Sequence, residues 1–357
     1  MKYPNIIKLI LISILAISNI QCTEDIKPTR KSNKASLKIL SPKHNQQYTI
    51  GDFIQIDLEV LDPSNIKTLA IYINDTLYKA NVSPKTQTIK IPTVGANVGL
   101  NTLYFSFTDQ AGKERGATRN LILFSDIIPA QKIASIVKAY PHQNTSYTQG
   151  LEFYDNALYE STGSGDYAKS FIAKVNINSG KHIAIQPLDT QYFGEGITIL
   201  NDTIYQLVWQ KQKCFVYTLD FKPIKSFDYE GEGWGLTNNG KSIIMSNGTA
   251  EIVWRNPNTF AIEKRIYAFS DQSDFQNLNE LELIEDKLLA NVYTQNYIIE
   301  IDTNNGKVLS KIDCAGIVAK GMVGNANVLN GIAYNPNTKK TYFTGKLWQY
   351  LYEIQID

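Results

Sequence analysis

Five polar residues recur at the heads of five similar segments, and they are where chemistry can be looked for first. The segments begin at Gln149 (QGLEFYDNALYES), Glu195 (EGITILNDTIYQL), Glu232 (EGWGLTNNGKSIIM), Asn279 (NELELIEDKLLANV) and Asn330 (NGIAYNPNTKKTYFTG). Glutamate in a partly dry setting can carry a proton between two nitrogen or oxygen atoms. Amide side chains can orient a polar substrate or donate to a developing oxyanion. The competing reading is structural: each polar residue hydrogen-bonds its neighbouring repeat or a channel water. That reading is preferred for Glu232 and Asn330, and both readings stay open for Glu195. Metal chemistry of the usual nitrogen and sulfur kind is disfavoured. His44, His142 and His182 are scattered, and Cys22, Cys214 and Cys314 form no Cys-x-x-Cys pair. Cys214 and Cys314 fall in non-adjacent repeats, so two separate buried thiols are expected rather than a disulfide.

The elements that would carry these residues are strands. The five segments start 46, 37, 47 and 51 residues apart, and each runs as strand, turn, strand. A period of about 40–50 residues of pure strand marks a propeller blade. The innermost strand of a blade lines the central channel, so the five segment heads would meet there. The last repeat has room for three strands only, GIAYN, KTYFTG and YLYEIQI. The run Ile133 to Tyr140 (IASIVKAY) is expected to supply the missing outer strand and clasp the ring shut.

Upstream the pattern differs. Short alternating runs from SLKIL to RNLILF, separated by SPKHN, DPSN, GANVG and QAGKE, fit six or seven strands of an immunoglobulin-like β-sandwich over 36–127. The propeller then occupies 128–357. Residues 23–35 are polar and aperiodic and read as a tether. Residues 1–22 read as a lipoprotein signal. Lys2 and Lys8 precede the apolar run Leu9 to Ile17, which is shorter than a membrane span, and Cys22 follows where a lipid would be attached. A plain secretory signal competes with this. The expected location is outside the cytoplasm, on a membrane through the lipid anchor. Lys+Arg number 35 and Asp+Glu 34, so the balance gives no reason to expect a nucleic-acid partner. A monomer is expected.

Taken together and in order, the blocks YTQGL (147–151), YESTG (159–163), FGEGIT (193–198), EGWGLT (232–237), LNELE (278–282), NVLNGIAYN (327–335) and TGKLW (344–348) resemble the plant-type and bacterial glutamine cyclotransferase family. The resemblance implies an all-β fold, a five-bladed propeller here preceded by the sandwich. It also implies a glutaminyl-peptide cyclotransferase activity, in which N-terminal glutamine of a peptide or protein closes to pyroglutamate and ammonia leaves. Glu195 then corresponds to the catalytic acid. Gln149, Asn279 and Lys346 would hold the substrate, and Trp209 and Trp234 would form aromatic walls. Tyr293 stands where the family often has tryptophan. Trp254 and Trp348 read as blade packing. The chemistry requires no cofactor and no metal, though Glu280 and Glu282 could serve a structural calcium. Two other readings compete. One is a non-catalytic exported propeller binding peptides or sugars. The other is a metal-dependent hydrolase, which would need more converging carboxylates than the channel offers.

Overall fold

The computed structural model describes residues 37–165 and 168–357. The expected signal, the Cys22 lipidation site and the tether lie outside the described residues.

The first eight strands form two facing sheets. One holds Leu37–Ser41, Phe53–Val60 and Gln87–Pro92. The other orders Gln46–Thr49, Glu114–Phe124, Gly99–Asp109, Ile66–Ile73 and Thr76–Lys79. Alternate residues point inward, as period-2 patterning requires. Ile54, Ile56 and Leu58 from the first sheet meet Leu69, Ile71, Leu103 and Phe105 from the second in one core. The two strands that add to the six runs read from sequence are short edge strands, QQYT and TLYK. They are polar, and their pairing rather than their pattern defines them.

Five blades follow. Blade I runs from Tyr147–Tyr154 to Lys181–Pro187 and blade II from Gly194–Leu200 to Pro223–Asp228. Blade III runs from Leu236–Asn238 to Ile262–Tyr267 and blade IV from Leu278–Ile284 to Val308–Asp313. Blade V contributes Leu329–Asn335, Lys340–Gly345 and Tyr350–Ile356. The first strands of successive blades pack on one another, and that of blade V returns to that of blade I. Inner strands are buried almost throughout, while the outermost strands of blades I and II are largely exposed.

The strand Ala130–Pro141 closes the ring. Its residues from Ala134 to Pro141 pair antiparallel with Tyr350–Ile356 and give blade V its fourth strand. Its first four residues, Ala130 to Ile133, pair parallel with Ser310–Asp313 of blade IV. Blades IV and V therefore share one eight-stranded sheet, which the sequence pattern did not suggest. Cys214 and Cys314 are separate buried thiols.

Candidate active site

Four of the inward-facing polar side chains are aimed by an irregularity in their strands. The first hairpins of blades I, II, IV and V slip register between Thr148 and Gly150, Gly194 and Ile197, Leu278 and Leu281, and Leu329 and Ile332. Those bulges fall on Gln149, Glu195, Asn279 and Asn330. A bulge re-aims a side chain that a regular pleat would send into the blade. Beside two of these positions, and beside Trp234 in blade III, glycine lets neighbouring backbones touch. A Cβ on Gly150 would lie 2.6 Å from the Ile197 nitrogen, and one on Gly196 would lie 2.4 Å from the Leu236 nitrogen. A Cβ on Gly235 would lie 2.1 Å from the Asn279 oxygen.

This ladder corrects the repeat register in blade III. The counterpart of Glu195-Gly196 is Trp234-Gly235, not Glu232-Gly233, and the Gly196 nitrogen donates to the Trp234 carbonyl at 2.7 Å. The repeat heads are thus Gln149, Glu195, Trp234, Asn279 and Asn330. Glu232 lies outside the ring of channel positions, in the approach to the first strand of blade III.

A cavity of about 290 Å³ opens above the channel. It is lined by all seven residues singled out from the sequence: Gln149, Glu195, Trp209, Trp234, Asn279, Tyr293 and Lys346. Phe193 and Tyr147 complete it. Tyr147 was not foreseen, although it sits two residues before Gln149, on the same face of its strand.

The floor is a chain of buried polar groups. Lys346 Nζ donates to Gln149 Oε1 at 2.7 Å, and Asn330 Nδ2 donates to the same oxygen at 3.1 Å. With its oxygen so engaged, Gln149 turns Nε2 to Glu195 Oε1 at 3.1 Å. Glu195 Oε2 and Asn279 Oδ1 are buried and have no partner. Lys346 is only 2% exposed. Its ammonium lies 4.8 Å from the centre of the Tyr147 ring and 5.1 Å from that of Tyr293. Burial pulls the Lys346 pKa down to about 8, against the attraction of Glu195. Burial also pushes the Glu195 carboxyl well above the usual carboxylate range. Lys346 opposes that shift and Glu232 adds to it.

The rim behaves differently. Glu232 Oε2 accepts from Trp209 Nε1 at 2.8 Å and from Trp234 Nε1 at 2.9 Å, and Gln210 Nε2 donates to Oε1 at 3.2 Å. Partial burial disfavours its charge, but these bonds outweigh that and hold its pKa below the ordinary value. One rim carboxylate thereby fixes both cavity tryptophans. Trp234 also meets Tyr293 edge-on with ring centres 5.8 Å apart, and Trp209 meets Phe193 edge-on at 5.8 Å. Trp254 and Trp348 are buried in blade packing.

Below the cavity Glu280 spans the channel. Its Oε1 accepts from Leu151 N at 3.2 Å and its Oε2 from Ile332 N at 2.8 Å, joining blades I, IV and V. Glu282 Oε1 accepts from Tyr334 N at 2.8 Å. These carboxylates serve the backbone. Among the described residues no group of three or more His, Cys, Asp or Glu side chains is arranged to hold a metal ion.

The model of the glutamine cyclotransferase family matches residues 118–356. The chain belongs to that family. It is 34% identical over 229 residues to a glutaminyl-peptide cyclotransferase of Arabidopsis thaliana, covering 62% of this chain and 70% of the relative. It is also similar to the crystal structure of Myxococcus xanthus glutaminyl cyclase. That match has a TM-score of 0.60 at 29% identity and covers 64% of this chain and 99% of the other. The family match starts inside the last sandwich strand, so nearly all of the sandwich lies outside it.

In this cyclotransferase-family chain a buried network pins both sides of the floor. Glu160 accepts from Thr148 Oγ1 at 2.7 Å, from Ser146 Oγ at 3.1 Å and from His142 Nε2 at 3.0 Å. The other ring nitrogen, His142 Nδ1, lies 2.8 Å from the Trp348 carbonyl. A carbonyl oxygen only accepts, and so does an ionised carboxylate, so both ring nitrogens carry hydrogen and His142 is an imidazolium. Burial works against that charge, but Glu160 outweighs it and holds the His142 pKa above the usual value. Thr148 precedes Gln149 and Trp348 follows Lys346 by two residues. The ion pair therefore holds the strand and the turn that present the Gln149–Lys346 contact. Its partners lie 18 residues apart, and no local pattern announces it.

Proposed function

We propose that this protein is a glutaminyl-peptide cyclotransferase, an acyl-transfer enzyme acting on N-terminal glutamine of peptides or proteins. The observation that carries the reading is the pair of buried acceptors without partners, Glu195 Oε2 and Asn279 Oδ1, in one small aromatic-walled cavity. Such groups are costly to bury unless a ligand brings N–H donors. An N-terminal glutamine brings two sets, its α-amine and its side-chain amide, on a short aliphatic stem that the aromatic walls can enclose. The names of the two relatives point the same way.

In the proposed reaction the neutral α-amine attacks the side-chain amide carbon. A carbon–nitrogen bond forms and the carbonyl becomes an oxyanion. Glu195 takes a proton from the attacking nitrogen and passes it to the amide nitrogen. The old carbon–nitrogen bond then breaks, ammonia leaves and the carbonyl re-forms. Burial raises the Glu195 pKa above the ordinary carboxylate range, which makes its carboxylate a stronger base towards the attacking nitrogen. Lys346, the cation of the floor, is assigned to the oxyanion and Asn279 to substrate N–H groups. No metal or other cofactor enters this scheme.

The test is incubation with a glutaminyl peptide, following ammonia release and the loss of 17 mass units that deamination by ring closure requires. A peptide that binds but is returned unchanged would instead favour a binding propeller. We place the activity outside the cytoplasm on a lipid anchor, a reading supported by Lys2, Lys8, the apolar run and Cys22. Mass spectrometry of the mature N-terminus decides it, since an unmodified terminus beyond Cys22 contradicts the anchor.

A further inference from the structure

The sandwich is docked on the propeller at a point that bears on the aromatic wall. Ile50, Val98 and Leu123 of the sandwich share one buried cluster with Ala250 and Phe269 of blade III and its exit. The seam is specific. Val98 N donates to the Asn305 carbonyl at 3.1 Å and Ser125 N to the Ser270 carbonyl at 2.9 Å. Phe124 and Phe269 meet edge-on at 5.6 Å, and Lys307 pairs with Asp126 at 2.6 Å.

Ala250 ends the short loop 247–250, and two residues earlier Gly248 lies behind Trp234. A Cβ on Gly248 would sit 2.7 Å from the Trp234 indole, and its φ of +79° disfavours any other residue. The loop also reaches the second wall residue. Gly248 N donates to the Leu278 carbonyl at 3.3 Å, Asn277 N to the Gly248 carbonyl at 2.9 Å, and Tyr293 N to the Asn277 carbonyl at 2.8 Å. One end of the loop is thus clamped by the sandwich, and the other backs Trp234 and, through Asn277, Tyr293.

We infer that the sandwich is a positioning part of the substrate site: by burying Ala250 it holds the loop 247–250 against Trp234 and sets the width of the cavity. This rests on the cyclotransferase reading for its kinetic consequence and not for its structural one. Val98 and Ala250 are positioning residues, since neither lines the cavity.

The experiment uses the full chain carrying Val98→Asp, which puts a carboxylate into the closed seam. Two things are measured: steady-state cyclisation of a glutaminyl peptide, and hydrogen exchange at the Gly248 and Asn277 amides. KM is expected to rise about tenfold with kcat within about twofold, because the wall grips substrate and does not move protons. Exchange at both amides is expected to accelerate by more than about tenfold. A merely structural loss would reduce the active fraction, lowering kcat at constant KM. Asp126→Ala, which cuts the seam's ion pair to blade IV away from the loop, is expected to leave KM and both amides unchanged. Should Val98→Asp fail to fold, Val98→Ala replaces it, with a KM rise of about twofold to threefold. Folded variants with wild-type KM and wild-type exchange overturn the inference. If the wild-type protein does not cyclise glutamine at all, the functional reading fails, and the exchange measurement alone decides the positioning role.

Discussion

The floor and the rim of the cavity each carry one carboxylate, and the two are held in opposite ways. On the floor Glu195 is 5% exposed, has one oxygen without a partner and resists ionisation. On the rim Glu232 has both oxygens occupied by N–H donors and ionises more readily than usual. A group that exchanges protons must be poised between its two states. A group that anchors must not change state. The same side chain is turned to either use by burial and by the number of donors around it.

The largest expected effect is at the floor. Glu195→Gln should lower kcat by about 10²–10⁴-fold, the usual worth of acid–base catalysis, with folding intact. The new amide can still accept from Gln149. Steady-state ammonia release checks this. If Glu195→Gln keeps full activity while Glu232→Gln loses it, the two roles are reversed.

Lys346→Met comes next. Loss of one oxyanion donor should lower kcat/KM by about 10², while thermal unfolding shows the fold gaining stability at neutral pH, because a buried ammonium gives way to an apolar chain. The sign follows from the lowered pKa. The folded value, about 8, lies below the ordinary 10.5, so the unfolded chain holds this proton more tightly. The wild-type fold is therefore penalised below pH about 8, and the penalty disappears as pH rises from there to about 10.5. The advantage of the methionine variant should shrink over that same window. Loss of the Lys346 charge should also cut wild-type turnover above pH about 8.

Glu232→Gln should raise KM by about tenfold at nearly constant kcat. The variant loses about 1.4 kcal/mol of charge-assisted bonding that holds Trp209 and Trp234. A kcat effect above tenfold would make the rim part of the proton path. The smallest effect is expected for Tyr293→Trp, a change of KM below about threefold. The larger ring keeps its edge-on approach to Trp234 and its face to Lys346.

Much of this was legible in the chain because blades repeat and repeats leave a period. The closing strand, four of the five channel heads and the seven cavity residues could be read from pattern or resemblance. The register of blade III could not, because EGWG offers two Glu/Trp-Gly pairs in a row and only backbone contact at Gly235 tells them apart. Tyr147 escaped because a tyrosine in an alternating strand looks like ordinary packing. The Glu160–His142 ion pair and the Ala250 clamp join residues from different blades or domains, so neither has a local signature. The bulges are invisible for a related reason: an extra residue in one strand is defined by the strand it faces.

The closing strand has a consequence in time. A ribosome makes Ala130–Pro141 more than 200 residues before its main partner, Tyr350–Ile356. Blades I to III can form their sheets earlier, but the ring cannot shut until Tyr350–Ile356 has been made. Contacts spanning more than 200 residues are also slow to find. Until then an unpaired strand edge stays open to foreign strands. Trimming the strand Tyr350–Ile356 by even a few residues should therefore harm yield and refolding more than it harms the activity of molecules that have already closed.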